Sequence, residues 1–482
     1  MPPHPTSPLV AMSATELAAR IRRREVSSRE VMTTYLDHIE RINPAVNAVV
    51  SLQPRDMLLA AADDADAEIA RGEIRSWMHG LPHAVKDLVF TKGIRTTSGS
   101  PIFESFVPSF DAIFVERLRA GGAIIIGKTN TPELGLGSQT YNPIFGTTGN
   151  AYDPTKTAGG SSGGAAAGLA LCMLPVADGS DFAGSLRNPA GWNNIFGFRP
   201  SVGRVPHGPT PELFMQSIGY EGPMGRTVAD VAMLLSVMAG YDERAPQSLA
   251  GDPRDFAQPL ARDVKGLRIG WLGNLGSIPM QAGMLDLCLT GLRRLEGVGC
   301  TIEEAKLSVS RDAIWDSFVK LRQGLQAGGL IGIYNDPAKR EMLKPEALWE
   351  IEGGLKLSAV DLYSASTERS AIYRAFCTSL QRYDILAMPS AQVFPFDAKL
   401  HWPAEVVGVP MDSYHRWMEI VTGPSLAGCP TVAVPAGFGP GGLPSGIQLI
   451  GRSRGDFQLL QLAYAYEQVS KSALSRRPAL LG

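Results

Sequence analysis

The sequence predicts an α/β layered fold, and three features predict it. Between residues 83 and 177, strand-like and helical segments alternate. Short apolar runs such as Ala123 to Gly127 (AIIIG) are bounded by glycine, as buried strands are. Strands then return between residues 385 and 450, after a long helical stretch. A length of 482 residues alone is compatible with two or three domains. Large α/β enzymes often keep one continuous sheet, so a single domain over residues 1–482 is expected.

Each element has a local cause. Ser13 with Glu16, and Ser27 with Glu30, fit the S-x-x-E capping box ahead of helical apolar patterns. The second of these helices is expected to end near Asn43-Pro44. A short strand (Val46 to Leu52) and a helix (Pro54 to Arg71) follow. His83 to Phe90 is β-rich, Asp111 to Ala120 helical, and Ala123 to Gly127 a buried strand. Gly164 to Cys172 is a small-residue helix, and Leu174 to Ala177 a strand. From 240 to 400 the texture is that of a helical excursion over the sheet, shaping the pocket. It contains a strand at Leu267 to Leu272, a helix at Met284 to Leu295 and long helical patterns from Ala313 to Asp384. Strands at Ile385 to Met388, Thr431 to Val434 and Gly446 to Ile450 precede a last helix, Asp456 to Val469.

Composition narrows the function. Apolar residues make up 44% and charged residues 19%, with a net charge of −2. That balance argues against nucleic acid or an anionic membrane as the main partner. The N-terminal stretch has no apolar core behind a basic start, so no signal peptide is expected. The longest apolar run, Gly163 to Ala177, is too short and glycine-rich for a membrane span. Five dispersed cysteines without C-x-x-C suggest reduced thiols and a cytoplasmic protein. The seven histidines form no metal-binding cluster. No metal or other cofactor is expected.

The informative stretch is Thr157 to Gly164 (TAGGSSGG), followed by Gly179 to Gly191 (GSDFAGSLRNPAG). Such glycine density lets backbone amides approach a ligand. A phosphate loop would need a lysine after Gly163 or Gly164, and none is there. Gly159 to Gly163 matches the G-x-S-x-G nucleophile elbow, which would pair Ser161 with a histidine such as His401 or His415. That motif requires a strand before the serine, whereas Asn150 to Thr157 has the composition of a turn. A third possibility joins both serine segments to a distant lysine. Ser185 lies 24 residues after Ser161, and the intervening helix and strand can fold the two together. Lys86 sits in the apolar run HAVKDLVF. A lysine base must be neutral, which requires lowering its pKa from ~10.4 by roughly three decades, or about 4 kcal/mol. The bland alternative, turns and caps without chemistry, suits any one Ser-Gly pair but accounts poorly for two together with this lysine.

Taken together, PHAVKD (Pro82 to Asp87), GKTN (Gly127 to Asn130), TAGGSSGG and GSDFAGSLRNPA resemble the amidase signature family. The spacing of 24 between the two serines is that family's. The resemblance extends through Gly197 to Pro206, Gly222 to Arg226 and Gly442 to Gly451, and is strongest over residues 81–206. It implies a large mixed, mostly parallel central sheet covered by helices on both faces. It implies Ser185 as the acylated nucleophile, Ser161 as a bridging serine on a cis peptide bond with Gly160, and Lys86 as the base. It places the oxyanion at backbone amides of Phe182, Ala183, Gly184 and Ser185. Asp181 and Arg187 are expected as a structural pair and Ser162 as a hydrogen-bonding neighbour of Ser161 or Lys86.

The family commonly has T-G-G-S where this chain has Phe182-Ala183-Gly184-Ser185. That difference, with Ser138 to Pro143, resembles free-standing bacterial amidases, including aryl acylamidases and enzymes that open cyclic amides or cut carbamates. It resembles less the amidotransferase subunit that needs partner chains. Leu136, Gln139, Tyr141, Phe182, Phe214, Met215 and Ile218 are candidate pocket walls by their positions in the motifs; Trp192 fits the core better. Apolar candidates predominate, so the expected substrates are neutral, hydrophobic or aromatic amides, with carbamates and esters as further small-molecule candidates. A monomer or homodimer is expected. Two alternatives come from other classes: an amidotransferase-like subunit acting with partner chains, and an esterase of α/β-hydrolase type using His401 or His415.

Overall fold

The computed structural model describes residues 6–471 and 475–482. Its strands are β1 (Val49–Val50), β2 (Pro82–Lys86), β3 (Ile124–Thr129), β4 (Val176–Asp181), β5 (Phe196–Arg199), β6 (Tyr220–Gly225), β7 (Arg268–Trp271), β8 (Thr301–Glu304), β9 (Ile385–Pro389), β10 (Glu405–Val406), β11 (Val409–Pro410), β12 (Thr431–Phe438) and β13 (Pro444–Ile450). Eight of them form one sheet in the order β4-β6-β5-β12-β13-β9-β7-β8. A three-stranded sheet has the order β1-β3-β2, and β10 pairs with β11.

The large sheet is mixed and flanked by helices, but the expected parallel majority is absent. Only β7–β8 and β7–β9 run parallel. The other five neighbouring pairs are antiparallel. The cause is local for β12 and β13: the residues between them, 439–443, are too few for the crossover that a parallel pair needs. Parallel pairing also occurs in the small sheet, where β2 lies beside β3 with Lys86 opposite Thr129.

Several elements differ from the sequence pattern in instructive ways. The helix Ser28–Val46 runs through Pro44 and ends at the left-handed Asn47. Pro44 falls in the last turn, where Asn43 Oδ1 accepts the amides of Ala48 and Val49 and holds the exit. Ser13 and Ser27 cap their helices by accepting from the amides of Glu16 and Glu30. Glu16 turns its carboxylate to Arg20 rather than back to the cap. The strand expected at 46–52 shrinks to β1, and β5, β6, β8, β10 and β11 have no counterpart in the sequence pattern.

The helix Gly163–Ala170 (GGAAAGLA) is buried all round, as its composition demands. It can lie there because Gly164 has no side chain: a Cβ would overlap Asn130 N and stand 2.6 Å from Ala48 O. Residues 311–382 form the helices Arg311–Tyr334, Pro337–Arg340, Pro345–Gly354 and Ala359–Arg382. One face of Arg311–Tyr334 enters the core around Trp192, Trp417 and Phe376 through Ile314, Trp315 and Phe318. The same face continues with Arg322 and Gln326 at four-residue spacing, which keeps them in line, and both line the cavity that Ser161 and Ser185 also line.

Candidate active site

A lysine closes β2 at its C-terminal end. Lys86 is completely buried, and its Nζ lies 2.8 Å from Ser161 Oγ, 2.9 Å from Ser162 Oγ and 3.0 Å from Ser180 Oγ. Burial pushes its pKa down from 10.5 to about 7, against the upward pull of Asp178, Asp181 and Glu221. An ammonium without an adjacent carboxylate partner is disfavoured here. Asp178 on β4 fixes the lysine's backbone: its carboxylate accepts from Lys86 N at 3.2 Å and from His83 Nε2 at 2.9 Å. This carboxylate ties the small sheet to the edge of the large one.

Two loops bring the serines to the same place. In the first, the Gly160–Ser161 peptide bond is cis. Ser138 Oγ donates to Gly160 O (2.6 Å), Thr140 Oγ1 to Gly159 O (2.7 Å) and Thr131 Oγ1 to Ser161 O (3.0 Å). No strand precedes Ser161, so the context of a nucleophile elbow is missing there. It occurs at Ser185 instead: β4 ends at Asp181, a turn carries Ser185, and the helix Arg187–Trp192 follows. Ser161 and Ser185 line one cavity of about 210 Å³. Among the described residues no direct hydrogen bond joins them.

The turn is held by a buried ion cluster. Asp181 takes Arg187 through Nε–Oδ2 (2.9 Å) and Nη2–Oδ1 (3.0 Å), and Arg199 lies 3.5 Å away. Burial pushes the Asp181 carboxyl up, but the two guanidiniums hold it well below the usual carboxylate range. Arg187 spends its remaining donors on Val421 O, Gln448 Oε1 and Ser425 Oγ and does not line the cavity. Asp181 also accepts the amides of Gly184 (2.7 Å) and Leu186 (3.1 Å). This corrects one expectation. The Gly184 amide is taken by Asp181, because a buried carboxylate gathers every donor nearby, and so it is unavailable to an oxyanion. Phe182 and Ala183 line the cavity.

Most expected pocket walls lie elsewhere. Leu136 lines the cavity together with Phe182. Gln139 is buried and spends its amide on Ala398 O, Leu400 O and Thr157. Tyr141 donates to Glu346 and stacks on His401 at 4.3 Å. Ile218 is buried in the neighbouring core. Phe214 and Met215 are 71% and 62% exposed. They point outward because Glu212 accepts the amides of Phe214, Met215 and Gln216 and curls the loop away. Trp192 is core, stacked on Trp417 at 5.6 Å.

Residues that no motif marked supply the polar wall. His207 and Glu221 form an ion pair at 2.9 Å; Glu221 raises the His207 pKa above the ordinary value despite burial. Arg322 donates through Nε to Glu350 and through Nη2 to Tyr414 Oη (2.9 Å). His415 also lines the cavity, with Nδ1 3.0 Å from Ser413 Oγ. Burial lowers its pKa, against the upward pull of Glu350. Neither His401 nor His415 bonds to Ser161 or Ser185 among the described residues. Asp178 and Ser180 carried a legible signal, since two residues at that spacing on β4 share one face of the strand. Arg322 carried none, lying in a helix 137 residues from Ser185.

Among the described residues no helix is long and apolar enough to cross a membrane. A family model described as Amidase matches residues 30–460. The chain is 34% identical over 479 residues to the A-type subunit of a glutamyl-tRNA(Gln) amidotransferase from Thermosynechococcus vestitus, covering 94% of this chain and 97% of that one. It is 31% identical over 478 residues to an acylamidase from Rhodococcus erythropolis, covering 97% of each. The crystal structure of a bacterial aryl acylamidase of the amidase signature family superposes with a TM-score of 0.91 at 29% identity, over 98% of this chain and 100% of that one.

Proposed function

The chain belongs to the amidase family, and from that premise we propose that it hydrolyses neutral, hydrophobic or aromatic amides, and carbamates or esters of similar shape, through an acyl-enzyme on Ser185. The observation that carries this is the buried Lys86 amine 2.8 Å from Ser161 Oγ, in the wall of the cavity that holds Ser185. With its pKa near 7 the amine is available as a base at neutral pH. Ser161 takes the Ser185 proton and passes its own to Lys86. Ser185 Oγ attacks the carbonyl, and the oxyanion meets the amides of Phe182, Ala183 and Ser185. The proton returns through Ser161 to the departing amine, and water then releases the acid. Asp178 and Glu221 lie close enough to favour the transient ammonium. One well-placed oxyanion donor contributes about 3 to 4 kcal/mol to the transition state.

The cavity, about 210 Å³, lies below the usual ~300–1,000 Å³ of ligand sites, which favours compact substrates such as short-chain anilides. The test is kcat/KM on a panel of anilides, aliphatic amides, carbamates and esters. A neutral Lys86 requires a rise of about 50-fold between pH 5 and pH 7, then a plateau. Turnover confined to charged amides such as malonamate, with anilides untouched, refutes the substrate assignment.

A second function is favoured by one observation, the relatives that are glutamyl-tRNA(Gln) amidotransferase subunits. Under it the chain works with partner chains. Co-purification of such partners, with no turnover of simple amides by the isolated chain, supports that function instead.

A further inference from the structure

The cavity has a feature that amide hydrolysis itself does not require: a buried guanidinium in its wall. Phe318, Arg322 and Gln326 reach it from successive turns of one helix. The Arg322 side chain is 6% exposed, and its partner Glu350 is fully buried. Tyr414 Oη closes the cluster by donating to Glu350 and accepting from Arg322. The guanidinium lies over the Phe182 ring, 4.9 Å from its centroid, and Phe182 directly follows the Asp181 that holds the Ser185 turn. Arg322 Nη1 has no protein partner among the described residues.

Such a pair is not explained by stability. A buried ion pair is often replaceable by apolar residues of similar volume without loss. A planar donor braced by a carboxylate and stacked on a ring is, however, well suited to hold an acceptor in a fixed direction. The charge around it selects which acceptor. Glu350 already neutralises Arg322, and Asp181 and Glu221 line the same cavity. Asp181 is matched by Arg187 and Arg199 and Glu221 by His207, so a substrate carboxylate would find no uncompensated cation to offset the cost of burying it, whereas an uncharged oxygen or ring nitrogen gains the hydrogen bond without that cost.

We propose that Arg322 is a specificity-determining donor of this cavity, and that the preferred substrate carries an uncharged hydrogen-bond acceptor on the part lying against Phe182. The inference rests on the amide-hydrolysing site proposed above and names its substrate class more closely.

Two isosteric pairs of anilides test it: 3-methoxypropananilide against pentananilide, and 4-methoxyacetanilide against 4-ethylacetanilide. Each pair exchanges one CH₂ for an oxygen, on the acyl side and the amine side respectively. The expected result is a kcat/KM preference for the ether of about tenfold in at least one pair. In the double variant Arg322→Met with Glu350→Gln, which leaves no unpaired buried charge, that ratio falls to about one. Ratios near one in both pairs for the parent protein overturn the inference, as does a preference that survives in the double variant. Faster hydrolysis of succinanilic acid than of the ethers overturns it too. If none of the anilides turns over, the hydrolytic assignment fails. Calorimetric binding of the same four compounds to the Ser185→Ala protein then reads the ether preference on its own, and equal affinities within each pair overturn the inference independently.

Discussion

Replacing Lys86 by methionine makes the protein inactive and changes the way its stability depends on pH. The amine is buried with a pKa lowered from 10.5 to about 7. Below pH 7 it is charged in both folded and unfolded states, and the folded state carries the whole penalty, about 5 kcal/mol at 1.36 kcal/mol per pH unit of displacement. Between pH 7 and 10.5 the unfolded chain binds the proton and the folded chain does not, so stability rises with pH; above 10.5 the penalty is gone. By that linkage the penalty is about 4.5 kcal/mol at pH 6 and about 2 kcal/mol at pH 9. Methionine removes the penalty but also loses the contacts to Ser161, Ser162 and Ser180, together about 3 kcal/mol if each contributes about 1. The variant is then more stable than the parent by about 1.5 kcal/mol at pH 6 and less stable by about 1 kcal/mol at pH 9. Urea unfolding of both proteins at the two pH values measures this, and titrating groups that do not interact with Lys86 cancel in the comparison. A difference that stays constant within about 0.5 kcal/mol from pH 6 to pH 9 refutes the claim that Lys86 is held neutral by burial.

Two further outcomes follow from the same geometry. Gly184→Ala makes a Cβ overlap Asn188 Oδ1 and stand 2.7 Å from Val421 Cγ2, at a φ of +94°. The Ser185 turn must shift, so kcat/KM falls by about 100-fold or more while circular dichroism still reports a folded chain. His401→Ala leaves kcat/KM on an anilide within about threefold, because His401 packs on Tyr141 outside the cavity; loss of activity there revives a histidine-dependent esterase.

How much of this was legible in the sequence depended on whether the cause was local. Lys86 could be singled out because a lysine in an apolar run must be either paired or neutral, and the structure pairs its amine with serine hydroxyls rather than a carboxylate. The small-residue helix Gly163–Ala170 was legible for the same kind of reason, since Gly164 serves a close approach to Asn130. The sheet directions were not, because alternation of strands and helices says nothing about which strands become neighbours. β5 and β12 are adjacent although residues 200–430 separate them in sequence. The exposed pair Phe214 and Met215 misled because position relative to the motifs does not say which way a side chain points; one glutamate, Glu212, accepting three amides decides where they point. The loss of the Gly184 amide to Asp181 was likewise invisible, since it follows from the Asp181 carboxylate being buried beneath its own turn. Arg322 lay in a plain helical pattern and gained meaning only when folding set it over Phe182.

The central claim is that Ser185, and not Ser161, forms the covalent bond. A slowly released aryl carbamate or a sulfonyl fluoride, followed by intact-mass analysis and peptide mapping, tests it directly. The expected result is one adduct per chain on Ser185, no adduct in Ser185→Ala, and the same adduct formed about 100-fold or more slowly in Ser161→Ala. An adduct mapped to Ser161, or undiminished labelling of Ser185→Ala, contradicts the account.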